Sequence, residues 1–362
     1  MRTHFFTGFP GFIATQLIKE LVRLGDVEKV IAIVHTSQAE RAREIATTIM
    51  NEMDVVIPIK ILVGDITKPA LGMEPQMIAD LALDTLTVWH LAAIYDLAVK
   101  EEIAWDVNVE GTIQVNQFVR NHPSIERFMY FSTAYVAGKR EGRLLETELI
   151  RPISFKNHYE ETKFEAELLV EELKKDVAVT IIRPGIVRGH SKTGETVKFD
   201  GPYFFMNMID RLRWMPMIPY VGKTDACINV VPIDYIIEGA VYLSSLKEAV
   251  GQTVHLTDPA PHPIEKIYCA MVVELTGKKP KGRLPRIVAE KGLSSIRLQK
   301  RLGVEAQTLD YMMWNATFDT AVAERLLDGS GINCADFLES IPSMTAFYEK
   351  NKKNIDYHIK IG

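Results

Sequence analysis

Cysteine is scarce. Three residues in 362, Cys227, Cys269 and Cys334, are scattered along the chain, which excludes a disulfide framework and leaves no C-x-x-C pair for a structural zinc. No metal is expected, and a reducing, cytoplasmic location is. There is no uninterrupted apolar run long enough to span a bilayer. The greasiest interval, Tyr203 to Val221, is broken by Asp210, Arg211, Arg213, Pro216 and Pro219. The opening residues carry one basic side chain, Arg2, and run into a glycine turn, so no signal peptide is expected. Neither sign of charge dominates. The 42 basic and 47 acidic side chains leave −5, with no electrostatic footprint for nucleic acid. Repeats and low-complexity tracts are also missing.

What is present is the composition of a globular chain, 47% hydrophobic and 25% charged. Its length suits two domains at about 150 residues each. The first half alternates two kinds of segment. Short apolar runs at His4–Phe6, Val30–Val34, Ile59–Val63, Thr87–Leu91, Arg127–Phe131 and Ala178–Ile182 are separated by helix-like stretches such as Ile13–Leu24 and Ala39–Asn51. That order predicts an α/β fold, a Rossmann-like and mostly parallel sheet with helices on both faces. After Val187 the alternation weakens. The expected division is a dinucleotide-binding domain over 1–188, a substrate-lobe insertion over 189–228, a return to the core over 229–255, and a smaller C-terminal substrate lobe over 256–362. Helices are expected near 263–276, 283–302 and 317–327.

Thr7-Gly8-Phe9-Pro10-Gly11-Phe12-Ile13-Ala14 follows the first strand and opens the first helix. Small residues there let backbone amides approach a pyrophosphate at a helix N-terminus. Ala14 stands where a third glycine is common. After Val34 come His35, Thr36 and Ser37 in place of the carboxylate that holds a ribose diol in many NAD sites, and Arg41 and Arg43 follow. NADP(H) is therefore the expected cofactor, with NAD(H) as the alternative. A solvated helix face is the other reading of both arginines. Asp65 and Ile66 close the third strand as an adenine contact, or else Asp65 caps a loop. Leu91, Ala92 and Ala93 close the fourth with side chains small enough for a dinucleotide to lie against the backbone.

Tyr159 and Lys163 are four apart on a predicted helix and share a face, so an ammonium can sit near a phenolic oxygen and a bound ribose. Ser132 and Thr133 follow a strand on the sheet edge where ligands gather, offering a hydroxyl to a substrate oxygen. With Asn108, the Ser132-Thr133-Ala134-Tyr135-Val136 segment and Arg183-Pro184-Gly185, these residues resemble an extended short-chain dehydrogenase/reductase. The nearer resemblance is to its thioester-reductase and fatty-acyl-reductase branch, the "male sterility" NAD-binding group, over residues 3–245. The resemblance implies Thr133, Tyr159 and Lys163 in the catalytic places, with Ser132 as the substrate-facing hydroxyl if the strand end is shifted. It also implies that Asn108 holds a water or backbone linked to the lysine, and that Pro184, Gly185 and Val187 flank the nicotinamide. His35 departs from the arginine common in related acyl reductases.

The expected reaction is hydride transfer from NADPH to a hydrophobic acyl thioester, giving an aldehyde. One alternative is a ketone or aldehyde reductase of a hydrophobic metabolite; another is a catalytically inactive, dinucleotide-binding regulatory protein. The expected partner is a small hydrophobic substrate, free or linked to CoA or a carrier protein, with no nucleic acid. Tyr203, Phe204, Phe205, Met206, Met208, Trp214, Met215 and Met217 are candidates for its pocket, or for plain core. A homodimer is expected through helices near Val107–Val119 and Tyr159–Leu173.

Overall fold

The structure, a computed structural model, describes residues 2–54, 57–95, 99–305 and 308–359. Its centre is a seven-stranded sheet in which every pairing is parallel. The strands are β1 (Arg2–Thr7), β2 (Val27–Val34), β3 (Ile59–Val63), β4 (Leu86–His90), β5 (Ile125–Phe131), β7 (Val179–Pro184) and β11 (Thr253–Leu256), ordered β11-β7-β5-β4-β1-β2-β3. The short β6 (Gly142–Leu144) precedes β7, and β8 (Ile186–Arg188), β9 (Tyr220–Val221) and β10 (Val230–Pro232) lie between β7 and β11. Strands β4 and β7 are buried along their whole length, as strands covered on both faces are, and they carry the buried polar residues Thr87, His90, Thr180 and Arg183 with them.

Helices cover both faces. On one, α1 (Phe12–Leu24) buries Ala14, Leu17, Ile18, Leu21 and Val22, and α2 (Ala39–Met53) buries Ala42, Ala46 and Ile49. These residues recur at helical spacing, so one stripe of each helix meets the sheet. The other face is covered by α3 (Pro75–Leu81), α5 (Gly111–Asn121) and α6 (His158–Leu173), with α4 (Glu101–Ala104) and a π-helical turn over Trp105–Glu110 leading into α5. The order of strands reverses between β1 and β4. Ligands of open parallel sheets bind in the crevice at such a reversal.

The second lobe is built on α7 (Tyr203–Leu212), α9 (Ile264–Thr276) and α14 (Phe337–Asn351), with α10 (Arg286–Leu293), α11 (Ile296–Leu302) and α12 (Thr308–Met312) around them. Between the lobes' contributions, α8 (Ile233–Ser245) returns to the sheet domain, where Ile233, Ile236, Ile237 and Ala240 join the core under α1.

Two features differ from the sequence reading. The segment after 256 is not a single lobe: β13 (Ala316–Phe318) pairs with β6, and α13 (Ala321–Leu327) packs Ala323, Leu326 and Leu327 into the sheet domain's core. The remaining strand, β12 (Arg283–Leu284), pairs with β9, so the helix expected over 283–302 begins as a strand and continues as α10 and α11. In the greasy interval, Tyr203, Phe204, Phe205 and Met206 form the second lobe's core and not an open pocket, while Trp214 and Met217 are exposed.

Candidate active site

The crevice is lined first by the glycine turn. Gly8 has φ +84°, and a Cβ there would lie 2.7 Å from the Ala92 backbone nitrogen and 2.8 Å from the Leu91 carbonyl carbon. Only glycine lets the two strand exits come this close. A Cβ on Gly11 would lie 2.7 Å from the Gly8 carbonyl oxygen, which accepts the Gly11 N–H at 2.8 Å. Gly11 is also the N-cap of α1 and supplies no side-chain cap, so the first-turn amides are left for an anion. The chain therefore fits the pyrophosphate of a dinucleotide: an open cradle, a helix N-terminus and no side chain in the way.

The neighbours of the cradle divide into lining and support. Thr7 was expected to bind cofactor, but its buried hydroxyl is spent inside the protein. It accepts from the amides of Leu91 (3.2 Å) and Ala92 (3.1 Å) and lies 2.7 Å from His90 Nδ1. The Phe9 side chain is likewise in the core, so only its backbone faces the crevice. Phe12 and Ile13 are half-buried against that core, Pro10 is half-buried, and Leu91, Ala92 and Ala93 are half-buried beyond β4. Ala14 is buried beneath α1, which explains how a methyl group replaces the third glycine without narrowing the cradle.

At the adenosine end, His35 caps a 3₁₀ turn over Thr36–Gln38. Its Nδ1 accepts from the Ser37 amide and lies 2.9 Å from Ser37 Oγ. Arg41 is exposed in the first turn of α2; Arg43, two positions on, points about 200° round the helix, so the two cannot serve one phosphate. Glu40, exposed beside Arg41, went unremarked in the sequence. Asp65 turns one carboxylate oxygen on its own loop, accepting from the Thr67 amide (2.9 Å) and hydroxyl (2.8 Å). Burial opposes its charge, but the two bonds from Thr67 together with the charges of His35 and Lys68 hold the carboxyl below the usual range. Ile66 packs against the start of α5 at Gly111. Gly185 lies so close to Asn229 that a Cβ would meet its Oδ1 at 2.6 Å, and Val187, half-buried on β8, packs on the core.

The reacting groups meet at the end of β5. Thr133 caps the turn that follows, its Oγ1 accepting from the Tyr135 amide at 3.2 Å. Its hydroxyl also interacts with the phenol of Tyr159, which the first turn of α6 brings over it. Burial raises the Tyr159 phenol above its ordinary range and Glu160 adds to the rise; the Thr133 hydroxyl opposes both. The ring of Tyr95 stands edge-on to Tyr159, with centroids 5.1 Å apart. Ser132, by contrast, points inward and donates to Glu167, which also holds Arg183 through Nε at 2.8 Å and Nη2 at 2.5 Å. The two adjacent hydroxyls thus have different surroundings, and Thr133 is the one beside the phenol.

Lys163 lies one turn beyond Tyr159, but its ammonium is not bonded to the phenol. It donates to the Phe131 carbonyl (2.6 Å) and the Tyr130 hydroxyl (3.0 Å), with Nζ 4.4 Å from the centre of the Tyr130 ring. Burial holds its pKa down at about 7, against the Glu167 carboxylate, which raises it. Asn108, in the π-helical turn, accepts from the Ile94 amide at 2.8 Å and donates to Thr162 Oγ1 at 2.9 Å. It joins the strand exit after β4 to α6 directly, with no bond to the lysine. His90 completes this layer, with Nε2 3.1 Å from Thr112 Oγ1, which donates to the Asn108 carbonyl. Burial, with Lys163 nearby, keeps the imidazole neutral at a pKa of about 3. His90 and Glu167 are the support that sequence reasoning did not single out; Arg183 was noted only as part of a strand-end segment, and the fold gives it the bond to Glu167. A histidine within a buried strand run was the available signal.

Residues 6–240 match the protein family described as male sterility protein, an NAD-binding group. A nonribosomal peptide synthetase of Aspergillus flavus is 24% identical over 273 residues, covering 71% of this chain and 26% of that protein. The fatty acyl-CoA reductase wat of Drosophila melanogaster is 24% identical over 265 residues, covering 64% and 51%. Among solved structures, the terminal R domain of the myxalamid PKS–NRPS pathway superposes with a TM-score of 0.82 at 24% identity, over 99% of this chain and 93% of that one. The chain thus spans about a quarter of the synthetase and about half of the reductase.

Proposed function

The chain belongs to the male sterility family of NAD-binding proteins, within the extended short-chain dehydrogenase/reductases, and from that premise we propose that it reduces a hydrophobic acyl thioester to an aldehyde. The observation that carries the proposal is the Thr133 hydroxyl against the half-buried Tyr159 phenol, in the crevice that Gly8 and Gly11 hold open. A reduced nicotinamide, when bound, supplies hydride to the acyl carbon. The residues of this chain do the rest. Thr133 and Tyr159 hold the acyl oxygen between two donors; Tyr159 gives it a proton as negative charge develops. The resulting thiohemiacetal returns that proton as the carbon–sulfur bond breaks, the thiolate leaves and takes up a proton, and the aldehyde remains. Lys163 would hold the ribose of the bound dinucleotide.

NADP(H) is the preferred dinucleotide in this reading. Support comes from the absence of a carboxylate among residues 35–39 and from Arg41 one turn further on. A CoA-linked thioester is supported by the likeness to the Drosophila fatty acyl-CoA reductase. The three cysteines are free and no helix among the described residues is long and apolar enough to cross a membrane, in keeping with the cytoplasm. A dimer through α5 and α6 would use Ile113, Leu168 and Leu169, because Phe118 and Phe164 on the same helices are buried within the protomer. The test is product analysis with octanoyl-CoA and octanal, each with NADPH and NADH. Octanal from octanoyl-CoA, faster with NADPH, is expected. Reduction of octanal alone would make the protein an aldehyde reductase, and turnover of neither probe would refute the proposal.

A further inference from the structure

A short segment of the second lobe, Tyr311 to Trp314, grips the catalytic turn from behind. The Tyr311 hydroxyl donates to Glu160 Oε1 at 2.8 Å and accepts from Asn157 Nδ2 at 2.9 Å. Asn157 is the N-cap of α6, its Oδ1 accepting the Glu160 amide at 2.9 Å, and Glu160 is the residue after Tyr159. Glu160 is fully buried and lies 3.6 Å from the ammonium of Lys156, itself buried. That ammonium sits 3.7 Å from the centre of the Trp314 ring and 5.3 Å from that of Tyr311, and donates to the Gly138 carbonyl. The same segment touches the other reacting group's support. Tyr135, in the turn capped by Thr133, packs against Tyr311 at 5.4 Å and Trp314 at 5.5 Å, and Trp314 Nε1 donates to the Arg140 carbonyl at 2.7 Å.

The segment's other side belongs to the second lobe. Met312 is buried in that lobe's core and lines a small cavity with Tyr220, Val221, Ile264 and Tyr268. Met313 fills the space beside Gly222. One stretch of four residues is therefore packed into the lobe on one side and bonded on the other to the turns that carry Tyr159 and Thr133.

We infer that Tyr311 is a positioning residue: its hydroxyl, through Glu160 and the Asn157 cap, sets Tyr159 against Thr133 and makes that alignment depend on the seating of the second lobe. Tyr311 does not touch the reacting atoms. The inference rests on the reading of Tyr159 as proton donor. If Tyr311 acts only through Tyr159, removing its hydroxyl must slow turnover without weakening the dinucleotide, and must cost nothing once Tyr159 has lost its own hydroxyl.

The experiment is a double-mutant cycle of Tyr311→Phe and Tyr159→Phe in the full chain, assayed with NADPH against octanoyl-CoA and octanal. Cofactor KM and the thermal midpoint are measured on the same samples. The expected result is a fall in kcat of about tenfold for Tyr311→Phe, an unchanged NADPH KM, and no further fall when it is added to Tyr159→Phe. Wild-type kcat in Tyr311→Phe, or an equal tenfold loss in the Tyr159→Phe background, overturns the positioning role and leaves the proton donor standing. Full turnover by Tyr159→Phe, or none by the wild type on either probe, overturns the functional reading and this inference together. If Tyr311→Phe does not fold, Asn157→Ser, which keeps an N-cap oxygen and removes the bond to the Tyr311 hydroxyl, carries the same cycle with the same expected and overturning results.

Discussion

Replacing Gly8 with alanine tests the cradle in a way that can be worked from distances. At φ +84° an alanine meets the left-handed penalty, about 1–2 kcal/mol. Its Cβ, 2.7 Å from the Ala92 nitrogen, is also about 0.7 Å short of ordinary contact at 3.4 Å, and what it meets is backbone that cannot rotate away. The 91–92 segment has to retreat, which stretches the two amide bonds to Thr7, each contributing about 0.5–1.5 kcal/mol. Together these come to roughly 2–5 kcal/mol. A control separates the contributions: Gly25 has φ +74° with nothing within 4 Å of its Cβ position, so Gly25→Ala carries the backbone penalty alone. Chemical denaturation and NADPH fluorescence titration of both variants are the assays. Gly8→Ala is expected to lose more stability than Gly25→Ala and at least tenfold in NADPH affinity, while Gly25→Ala binds as wild type. Equal stabilities, with NADPH affinity within twofold of wild type, would refute the reasoning.

Arg41→Ala should weaken NADPH roughly 10- to 150-fold, in line with a charge-assisted bond of roughly 1.5–3 kcal/mol, and leave NADH unchanged; an unchanged ratio of the two dissociation constants removes Arg41 from the site. Glu167→Ala strands the buried Arg183 guanidinium and should cost about 3–5 kcal/mol by denaturant titration; a loss below 1 kcal/mol would show the pair to be unimportant. Lys163 has a folded pKa of about 7 against an ordinary value of 10.5, so between these the folded state binds fewer protons than the unfolded one. Its contribution to stability therefore rises with pH across 7–9, by at most about 1.4 kcal/mol per unit. Lys163→Met should lose that slope, and a slope identical to wild type would show that the ammonium does not titrate in this range.

How much of this was legible in the sequence depended on how local the cause was. The alternation of strand and helix follows from burial on both sheet faces, so β2, β3 and β5 lie within a few residues of where their apolar runs predict them. The glycine turn was legible for the same reason, since Gly8 and Gly11 answer to contacts within a few residues and to one neighbouring strand. The pairing of β6 with β13 was not. Each strand has three residues, too few to show a period, and their partnership joins positions more than 170 apart. Nothing in the sequence distinguishes Glu167 from the other acids of its helix, and only the fold places it between Ser132 and Arg183. The Tyr203–Met206 run was apolar for either of two reasons, pocket or core, and packing against α9 and α14 decided for core.

The central claim is that Tyr159 hands a proton to an acyl oxygen beside Thr133. The most direct measurement is single-turnover formation of octanal from octanoyl-CoA with saturating NADPH, comparing wild type with Tyr159→Phe at matched cofactor occupancy. The phenylalanine keeps the ring that packs on Tyr95 and removes only the hydroxyl. The account predicts at least a ~100-fold slower step, about 2.7 kcal/mol of lost transition-state stabilisation, with NADPH binding and thermal midpoint unchanged. A folded, cofactor-bound Tyr159→Phe protein that forms octanal at the wild-type rate would contradict it.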